Sequence, residues 1–283
     1  MNTLFVYNTK AGKKFNTSVV DQIKNYLPLD FKSTFIEIQK FNELHTDSFD
    51  QLVAIGGDGT VNSVAKRAKQ EKKTLGIIPQ GSGDGLARHF KIPKNIADAT
   101  KIIVNQHTIS IDTAIINDHF FINIAGIGFE AEVAHKFNLI PHRGLWGYIK
   151  LITKLFCYYQ DSSLSMEIDH QKFNTSFFSL SIANGTQWGN NIKIASEADL
   201  QDGLLEIAIL KKPKWYQIPY LIQQIISHKQ VSNSIFLYKK GNKIRISAAK
   251  GNHMHIDGEP ISVDYPIHIQ VIPSSLKIIV PHE

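Results

Sequence analysis

Residues 56–60, Gly-Gly-Asp-Gly-Thr, bring small residues, a carboxylate and a hydroxyl to the point where a strand-like run passes into a helical pattern. Four apolar residues, 52–55, precede the turn and predict a buried strand. A helix N-terminus offers unpaired N–H groups to anionic oxygens, and glycines let those oxygens approach the backbone. Asp58 would repel a bare phosphate, so it favours a divalent cation beside the phosphates or a role in orienting the attacking group. The turn therefore predicts phosphate chemistry.

A second glycine-rich turn, Gly81-Ser-Gly-Asp-Gly85, follows the strand-like residues 74–78. Two strand–turn–helix units in succession predict neighbouring parallel strands that present both turns at one edge of a sheet. Arg88 comes just after the second turn, where it is a candidate contact for phosphate or a lipid headgroup and equally a helix cap. Glycine-rich turns also occur for structural reasons alone, so the pair of turns is the stronger signal.

Both turns, GGDGT and IPxGSGxGLAR, resemble the catalytic domain shared by diacylglycerol kinases, sphingosine kinases and bacterial soluble lipid kinases. The resemblance extends along most of the chain. Further matching segments are Asn8-Thr-Lys-Ala-Gly12, Asn123-Ile-Ala-Gly-Ile-Gly-Phe-Glu130, Ala198-Asp-Leu-Gln-Asp-Gly203 and Ile256-Asp-Gly-Glu-Pro260. These correspond to the family's NPxxG, N-x-x-G-x-G-[FW]-[DE], D-x-x-DG and DGE segments, in the family's order.

The resemblance implies ATP as phosphate donor, with Asp58 near the magnesium ion and the phosphates. Phosphoryl transfer needs a cradle for the donor phosphates, cations and a group that activates the acceptor hydroxyl. The candidate cradle residues are Asn8, Gly57, Gly59, Thr60, Gly81 and Ser82.

The carboxyl-terminal half supplies the remaining candidates. The resemblance implies that Asp257 is the general base toward the lipid hydroxyl, and Glu259, two residues on, would face the same way in a strand. It also implies a structural magnesium site at Asp199 and Asp202, which otherwise suit a solvated turn. Glu130 is a further candidate for the substrate side, or an ordinary charged loop residue.

Three positions depart from the family pattern. Thr9 replaces a proline, Ser63 stands where a glutamate is common, and Asp84 replaces an asparagine. Asp84 would add a negative charge close to a triphosphate. It would weaken nucleotide binding, require another cation or mark a less active copy.

Hydrophobic periodicity predicts an α/β + β fold. Up to residue 108, strands at 3–7, 33–38, 51–55 and 74–78 alternate with helical patterns, which predicts a three-layer nucleotide-binding domain with a mostly parallel sheet. Beyond residue 108 the period becomes two, which predicts an antiparallel β-sandwich. We expect domains at 1–108 and 109–272. The family resemblance implies the same architecture, with residues 273–283 packing back onto the first domain and the active site in the cleft between the domains.

The charge and composition of the chain indicate which partners and which cellular location to expect. The chain has a net charge of +6 and a pI of about 9.1, but its basic clusters, such as residues 66–73, lack interleaved aromatics and read as solvated faces rather than nucleic-acid surfaces. No secretory signal precedes the first strand, so we expect a cytoplasmic protein that associates transiently with membrane lipid. The helical run 145–159 is too short to span a bilayer and would cover the sandwich or face lipid. The single cysteine, Cys157, is expected to be buried.

Three functions fit these residues. The first is an ATP- and Mg²⁺-dependent lipid kinase acting on diacylglycerol or a similar lipid. The second is a kinase of a soluble acceptor, because NAD kinases and phosphofructokinases share the GGDGT turn. The third is a non-catalytic nucleotide- or lipid-binding homologue, which Asp84 and Ser63 would favour. The sequence does not define the oligomeric state, and a homodimer stays open.

Overall fold

A computed structural model of the chain describes residues 1–9, 18–138, 145–186, 195–227, 233–249 and 253–282. Within these ranges the chain forms two compact units. The first unit contains Met1–Thr113 together with the chain's end from Pro273, and the second contains most of the chain between them. Each unit has its own catalytic candidates.

A parallel sheet with the strand order β2-β1-β3-β4-β16 forms the centre of the first unit. Its elements are β1 (Asn2–Tyr7), α1 (Ser18–Tyr26), β2 (Lys32–Glu37), α2 (Ile38–Phe41), β3 (Gln51–Gly56), α3 (Asp58–Gln70), β4 (Thr74–Pro79), α4 (Gly85–His89), α5 (Ile96–Asn105), β5 (Thr108–Ile116) and the end of β16 (Ile267–Ile279). All six residues of β3 are buried, as expected for a central parallel strand covered on both faces. The adjacent turns at the ends of β3 and β4 follow from this order.

Antiparallel strands from two sheets enclose the core of the second unit. Its elements are β6 (His119–Phe121), β7 (Ile124–Gly128), α6 (Phe129–Asn138), α7 (Leu145–Tyr158), β8 (Ser162–Ile168), β9 (Gln171–Phe177), β10 (Ser179–Ala183), β11 (Leu205–Leu210), a 3₁₀ turn (Trp215–Gln217), α8 (Ile218–Ile226), β12 (Phe236–Gly241), β13 (Lys243–Ala248), β14 (His253–Ile256), β15 (Glu259–Ser262) and the start of β16. One sheet has the order β12-β11-β10-β7-β14-β15. Alternate residues of its strands, such as Leu180 and Ile182, enter the core, while Ser179 and Ser181 point to the opposite face.

The expected fold class is confirmed. Strand β9 ends at Phe177 and β10 begins at Ser179, and β16 is a single strand of 13 residues. Residues 215–226 form the 3₁₀ turn and α8.

Helix α7 covers an aromatic cluster of the second unit, as one of the two interpretations of residues 145–159 predicted. Phe156 meets Phe129 and Phe178 edge-on at centroid distances of 6.2 and 5.6 Å. The prediction that Cys157 is buried is wrong: it lies on the exposed side of this helix, next to exposed Tyr158. Among the described residues, no helix is long and apolar enough to cross a bilayer.

Candidate active site

Asp58 joins the two glycine turns of the first unit. Its Oδ2 accepts the backbone N–H of Asp84 at 3.0 Å, and its Oδ1 accepts that of Gly85 at 2.7 Å. These N–H groups belong to the start of α4, whereas Asp58 itself begins α3. A carboxylate that receives two N–H donors is held in one orientation, so Asp58 fixes one turn against the other.

Glycine is required where the turns touch. A Cβ added to Gly81 would lie 2.5 Å from the Cα of Gly57, and one added to Gly57 would lie 3.1 Å from the Cα of Gly81. Backbone cannot move aside as a flexible side chain can, so any larger residue at Gly81 would separate the turns. The contact brings the N-termini of two helices together, which places several backbone N–H groups in one small region.

Asp84 has a local charge partner that the sequence did not indicate. Its backbone is left-handed, with φ at 52°, and its side chain is 2% exposed. Oδ1 accepts the N–H of Gly81 at 2.9 Å, and Oδ2 lies 2.7 Å from Nζ of Lys94, which also donates to the carbonyl of Gly81 at 2.8 Å. The extra negative charge expected at this position is therefore offset by Lys94.

The other candidates in this region differ in what they offer. Asn8 donates from Nδ2 to Oγ1 of Thr60 at 3.3 Å, so the hydroxyl of Thr60 is buried in a contact between elements. Ser82 is exposed on the second turn. Arg88 donates from Nε to the carbonyl of Gly83 at 2.7 Å, so this nitrogen contacts the second turn.

These residues fit a phosphate chain. Helix α3 has 13 residues and begins at Asp58, and its first N–H groups, with those of the packed glycines, are the donors that phosphate oxygens need. Mg²⁺ is commonly held by one or two carboxylates together with substrate phosphates, and Asp58 supplies such a carboxylate. No group of three or more His, Cys, Asp or Glu side chains suited to a metal occurs among the described residues.

Asp257 binds the backbone of its own unit. It lies in the turn between β14 and β15 with φ at 48°, and its carboxylate accepts the N–H groups of Ile122, Asn123 and Ile124 at 2.9 to 3.1 Å. Glu259, at the start of β15, is exposed. The argument that both carboxylates share one strand face is wrong, because Asp257 is in a turn.

Glu130 is neither an exposed loop residue nor directed to solvent. It lies in the first turn of α6 and is 5% exposed, and both of its oxygens are within 2.9 Å of Oγ of Ser181. Nε2 of His255 is 3.7 Å from its Oε2. Ser181 and His255 are cross-strand neighbours of Gly126, whose missing side chain leaves the space that the Glu130 carboxylate fills.

Asp199 and Asp202 remain a predicted metal site. Each accepts a nearby backbone N–H, from Gln201 and Leu204 respectively. Oδ2 of Asp202 lies 3.9 Å from Nζ of Lys240. A hydrogen bond to the buried Glu206 raises the pKa of Lys240, so a protonated amine competes with any cation here.

Sequence reasoning missed Lys94, Ser181, His255 and Glu206. Lys94 lies ten residues after Asp84, and no helix or turn periodicity relates the two positions. The Glu130 group depends on strand register, since Ser181, Gly126 and His255 become neighbours only when β10, β7 and β14 pair. Glycine in the middle of a strand was the one available signal.

Comparisons with known proteins concern both units. The family described as "Diacylglycerol kinase catalytic domain" matches residues 2–116, and the "YegS C-terminal NAD kinase beta sandwich-like domain" matches residues 123–280. A YegS-like lipid kinase of Pectobacterium atrosepticum is 29% identical over 239 residues, which cover 82% of this chain and 78% of the relative. A diacylglycerol kinase of Staphylococcus haemolyticus is 26% identical over 274 residues, which cover 90% and 81%.

A solved structure has the same fold. A diacylglycerol kinase from Bacillus anthracis matches with a TM-score of 0.77 at 21% sequence identity, and the match covers 99% of this chain and 97% of the other. At this identity the likeness shows the fold alone. The family assignment rests on the two family models and the curated relatives.

Proposed function

Because the chain belongs to the diacylglycerol kinase catalytic domain family, we propose that it transfers the γ-phosphate of ATP to a hydroxyl of diacylglycerol or a similar lipid. The observation that carries the proposal is the junction of the two glycine turns through Asp58, which holds the second turn beside the first N–H groups of α3. The names of the curated relatives support a lipid acceptor over a soluble one.

The first unit would bind and orient the nucleotide. Backbone N–H groups at the start of α3 would donate to phosphate oxygens, and Lys94 would keep Asp84 from repelling them. Asp58 would contribute a ligand to Mg²⁺, which when bound offsets phosphate charge. These groups are held by the protein before the nucleotide arrives, so little reorganisation is needed during transfer.

The second unit would supply the proton acceptor. In the proposed step the acceptor hydroxyl gives its proton to the Asp257 carboxylate while its oxygen bonds to the γ-phosphorus. The bond from that phosphorus to the β–γ bridging oxygen breaks, and ADP leaves. Three backbone N–H donors orient the Asp257 carboxylate, and such fixed orientation is what general-base catalysis needs.

The proposal is tested with purified protein, γ-labelled ATP, Mg²⁺ and separate acceptors: dispersed diacylglycerol, a sphingoid base and NAD. We expect label in a lipid. Label only in NAD would establish the soluble-acceptor alternative, and ATP binding without transfer to any acceptor would establish a non-catalytic homologue.

Asp257→Asn should lower turnover by roughly 10²- to 10⁴-fold, the usual contribution of a general base. Asp169→Asn is a matched control, because Asp169 also has a left-handed turn backbone and a carboxylate that accepts backbone N–H groups, from Asn242 and Lys243. The control should lose similar stability and keep its turnover. Equal turnover of both variants would refute the role of Asp257.

A further inference from the structure

Exposed aromatic side chains are concentrated in two segments of the second unit. Among the described residues of this unit, the large hydrophobic side chains that stay exposed are those of Tyr158, Trp215, Tyr216 and Tyr220, at 77, 81, 56 and 51%. Tyr158 is the last residue of α7, and the others lie on the 3₁₀ turn and the start of α8. Soluble surfaces seldom group aromatic rings in this way without a partner.

Lys212 connects these two segments. Its Nζ donates to the carbonyl of Tyr159 at 2.7 Å, and its backbone N–H donates to Oδ1 of Asp161 at 2.8 Å. The same Nζ lies 5.5 Å from the ring centre of Phe156. The end of α7 is therefore held beside the chain that leads into Trp215, and the exposed rings belong to neighbouring segments.

Lysines accompany the rings. Lys154 is exposed one helical turn before Tyr158, and exposed Lys214 has its Nζ 5.9 Å from the ring centre of Tyr216. We call the exposed side chains of Lys154, Tyr158, Lys214, Trp215, Tyr216 and Tyr220 the basic aromatic surface. Asp161 lies next to Lys212, whose backbone N–H its carboxylate accepts.

The sequence around this surface has a strong charge bias. Residues 133–160 and 207–256 contain 13 of the 31 Lys and Arg residues and none of the 25 Asp and Glu residues. The rest of the chain carries 18 Lys and Arg against 25 Asp and Glu. The positive charge of the protein is therefore concentrated in the stretches that contain α7 and the 211–220 segment, which favours a negatively charged partner.

We propose that the basic aromatic surface docks on a bilayer that contains anionic lipid. Indole and phenol rings prefer the boundary between headgroups and acyl chains, and lysines nearby gain electrostatic attraction from anionic headgroups. The inference rests on the proposed lipid acceptor, which must be reached in a membrane. It adds the residues that make the contact, and these lie outside the candidate active site.

The test is binding to vesicles of phosphatidylglycerol and phosphatidylcholine, measured by sedimentation in the absence of ATP. We expect binding that weakens with salt and is lost on pure phosphatidylcholine. Lys154→Gln/Lys214→Gln should weaken the partition coefficient by roughly 30-fold, and Trp215→Ala/Tyr216→Ala by roughly tenfold or more. As a second readout, a polarity-sensitive dye on Cys157, the chain's single cysteine, should shift to the blue when vesicles are added.

The controls separate docking from catalysis and from charge alone. Lys32→Gln/Lys40→Gln/Lys66→Gln removes three exposed lysines of the first unit and should leave vesicle binding unchanged. All variants should keep their activity toward a short-chain acceptor dissolved in water, so failure of the kinase proposal would appear there and not in sedimentation. Wild-type protein that ignores anionic vesicles, binds single-stranded nucleic acid instead, or binds vesicles equally well after the Lys and aromatic changes would overturn the inference.

Discussion

Asp84 and Lys94 form a charge pair at the second glycine turn, and the affinity for ATP should depend on this pair. Asp84→Asn keeps an acceptor for the Gly81 N–H, and asparagine tolerates the left-handed backbone at this position. Removing its charge should tighten ATP binding roughly fivefold, whereas Lys94→Met, which leaves Asp84 unpaired, should weaken it by a similar factor. The double variant should return close to wild type, as titration calorimetry would measure. Unchanged affinity in both single variants would show that the pair is remote from the phosphates.

Residue types and spacing were sufficient to identify the two turns but not the contacts inside them. The departure at Asp84 was visible in the sequence, but its partner Lys94 was not, because folding brings the lysine to it. Asp257 was likewise identified, while its three backbone partners come from residues 122–124, more than 130 positions away in the chain. Contacts of this kind have no local sequence signal.

Helix α3 is anchored by two side chains that the sequence suggested were solvated. Nε of Arg67 donates to Glu71 at 2.7 Å, and its other nitrogens donate to the carbonyls of Phe41 and Leu44. Lys73 donates to the carbonyls of Thr46 and Phe49 at 2.6 Å. Arg67 and Lys73 therefore fix the helix that begins at Asp58. The interpretation of the basic cluster as a solvated face is wrong for Arg67 and Lys73.

Arg67→Ala should reduce the free energy of unfolding by about 2–4 kcal/mol, because several charge-assisted hydrogen bonds are lost together. Lys66→Ala, at the exposed neighbouring position of the same helix, should change it by less than about 0.5 kcal/mol. Urea unfolding of the three proteins measures both. Similar stabilities for the two variants would contradict the anchoring role.

Glu71 gives this anchor a pH dependence. Burial acts to raise the pKa of Glu71, but hydrogen bonds from Arg67 and Thr46 and the positive charges of Arg67 and Lys73 outweigh it, so the pKa lies below its usual 4.5. Its contribution to stability is therefore present above pH 4.5 and is lost as the pH falls through the lowered value. The stability difference between wild type and Glu71→Gln should be full at neutral pH and shrink in acid. A difference that is constant from neutral to acid pH would be inconsistent with this pairing.

The elements that could be predicted are those with a strong apolar signal. Strands β3 and β4 are almost wholly buried and read as continuous apolar runs. Strands β9, β12 and β15, which have a weaker apolar signal, all lie at sheet edges. An edge strand exposes much of its surface to water, so its sequence need not alternate, and β9 reads Gln-Lys-Phe-Asn-Thr-Ser-Phe.

At the scale of the whole molecule, the change of hydrophobic period was enough to predict an α/β part followed by a β part. The order of the matching motifs then identified the family, which the matches over residues 2–116 and 123–280 confirm. Neither the hydrophobic period nor the motifs indicate how charge is distributed along the chain. The overall value of +6 conceals two long stretches without any acidic residue, and the docking proposal depends on them.

The joined glycine turns of the first unit should bind the phosphates of ATP. Their role is tested by measuring the affinity of the Gly81→Ala variant for ATP with Mg²⁺ by titration calorimetry. The added Cβ would lie 2.5 Å from the Cα of Gly57 and should force the turns apart, lowering ATP affinity by roughly tenfold or more. Gly258→Ala is the control for lost stability, because a Cβ there has nothing within 4 Å but strains a left-handed backbone with φ at 87°, and the residue lies in the other unit. ATP binding should be weaker for Gly81→Ala and unchanged for Gly258→Ala; a folded Gly81→Ala protein that binds ATP as tightly as wild type would show that the joined turns do not hold the phosphates.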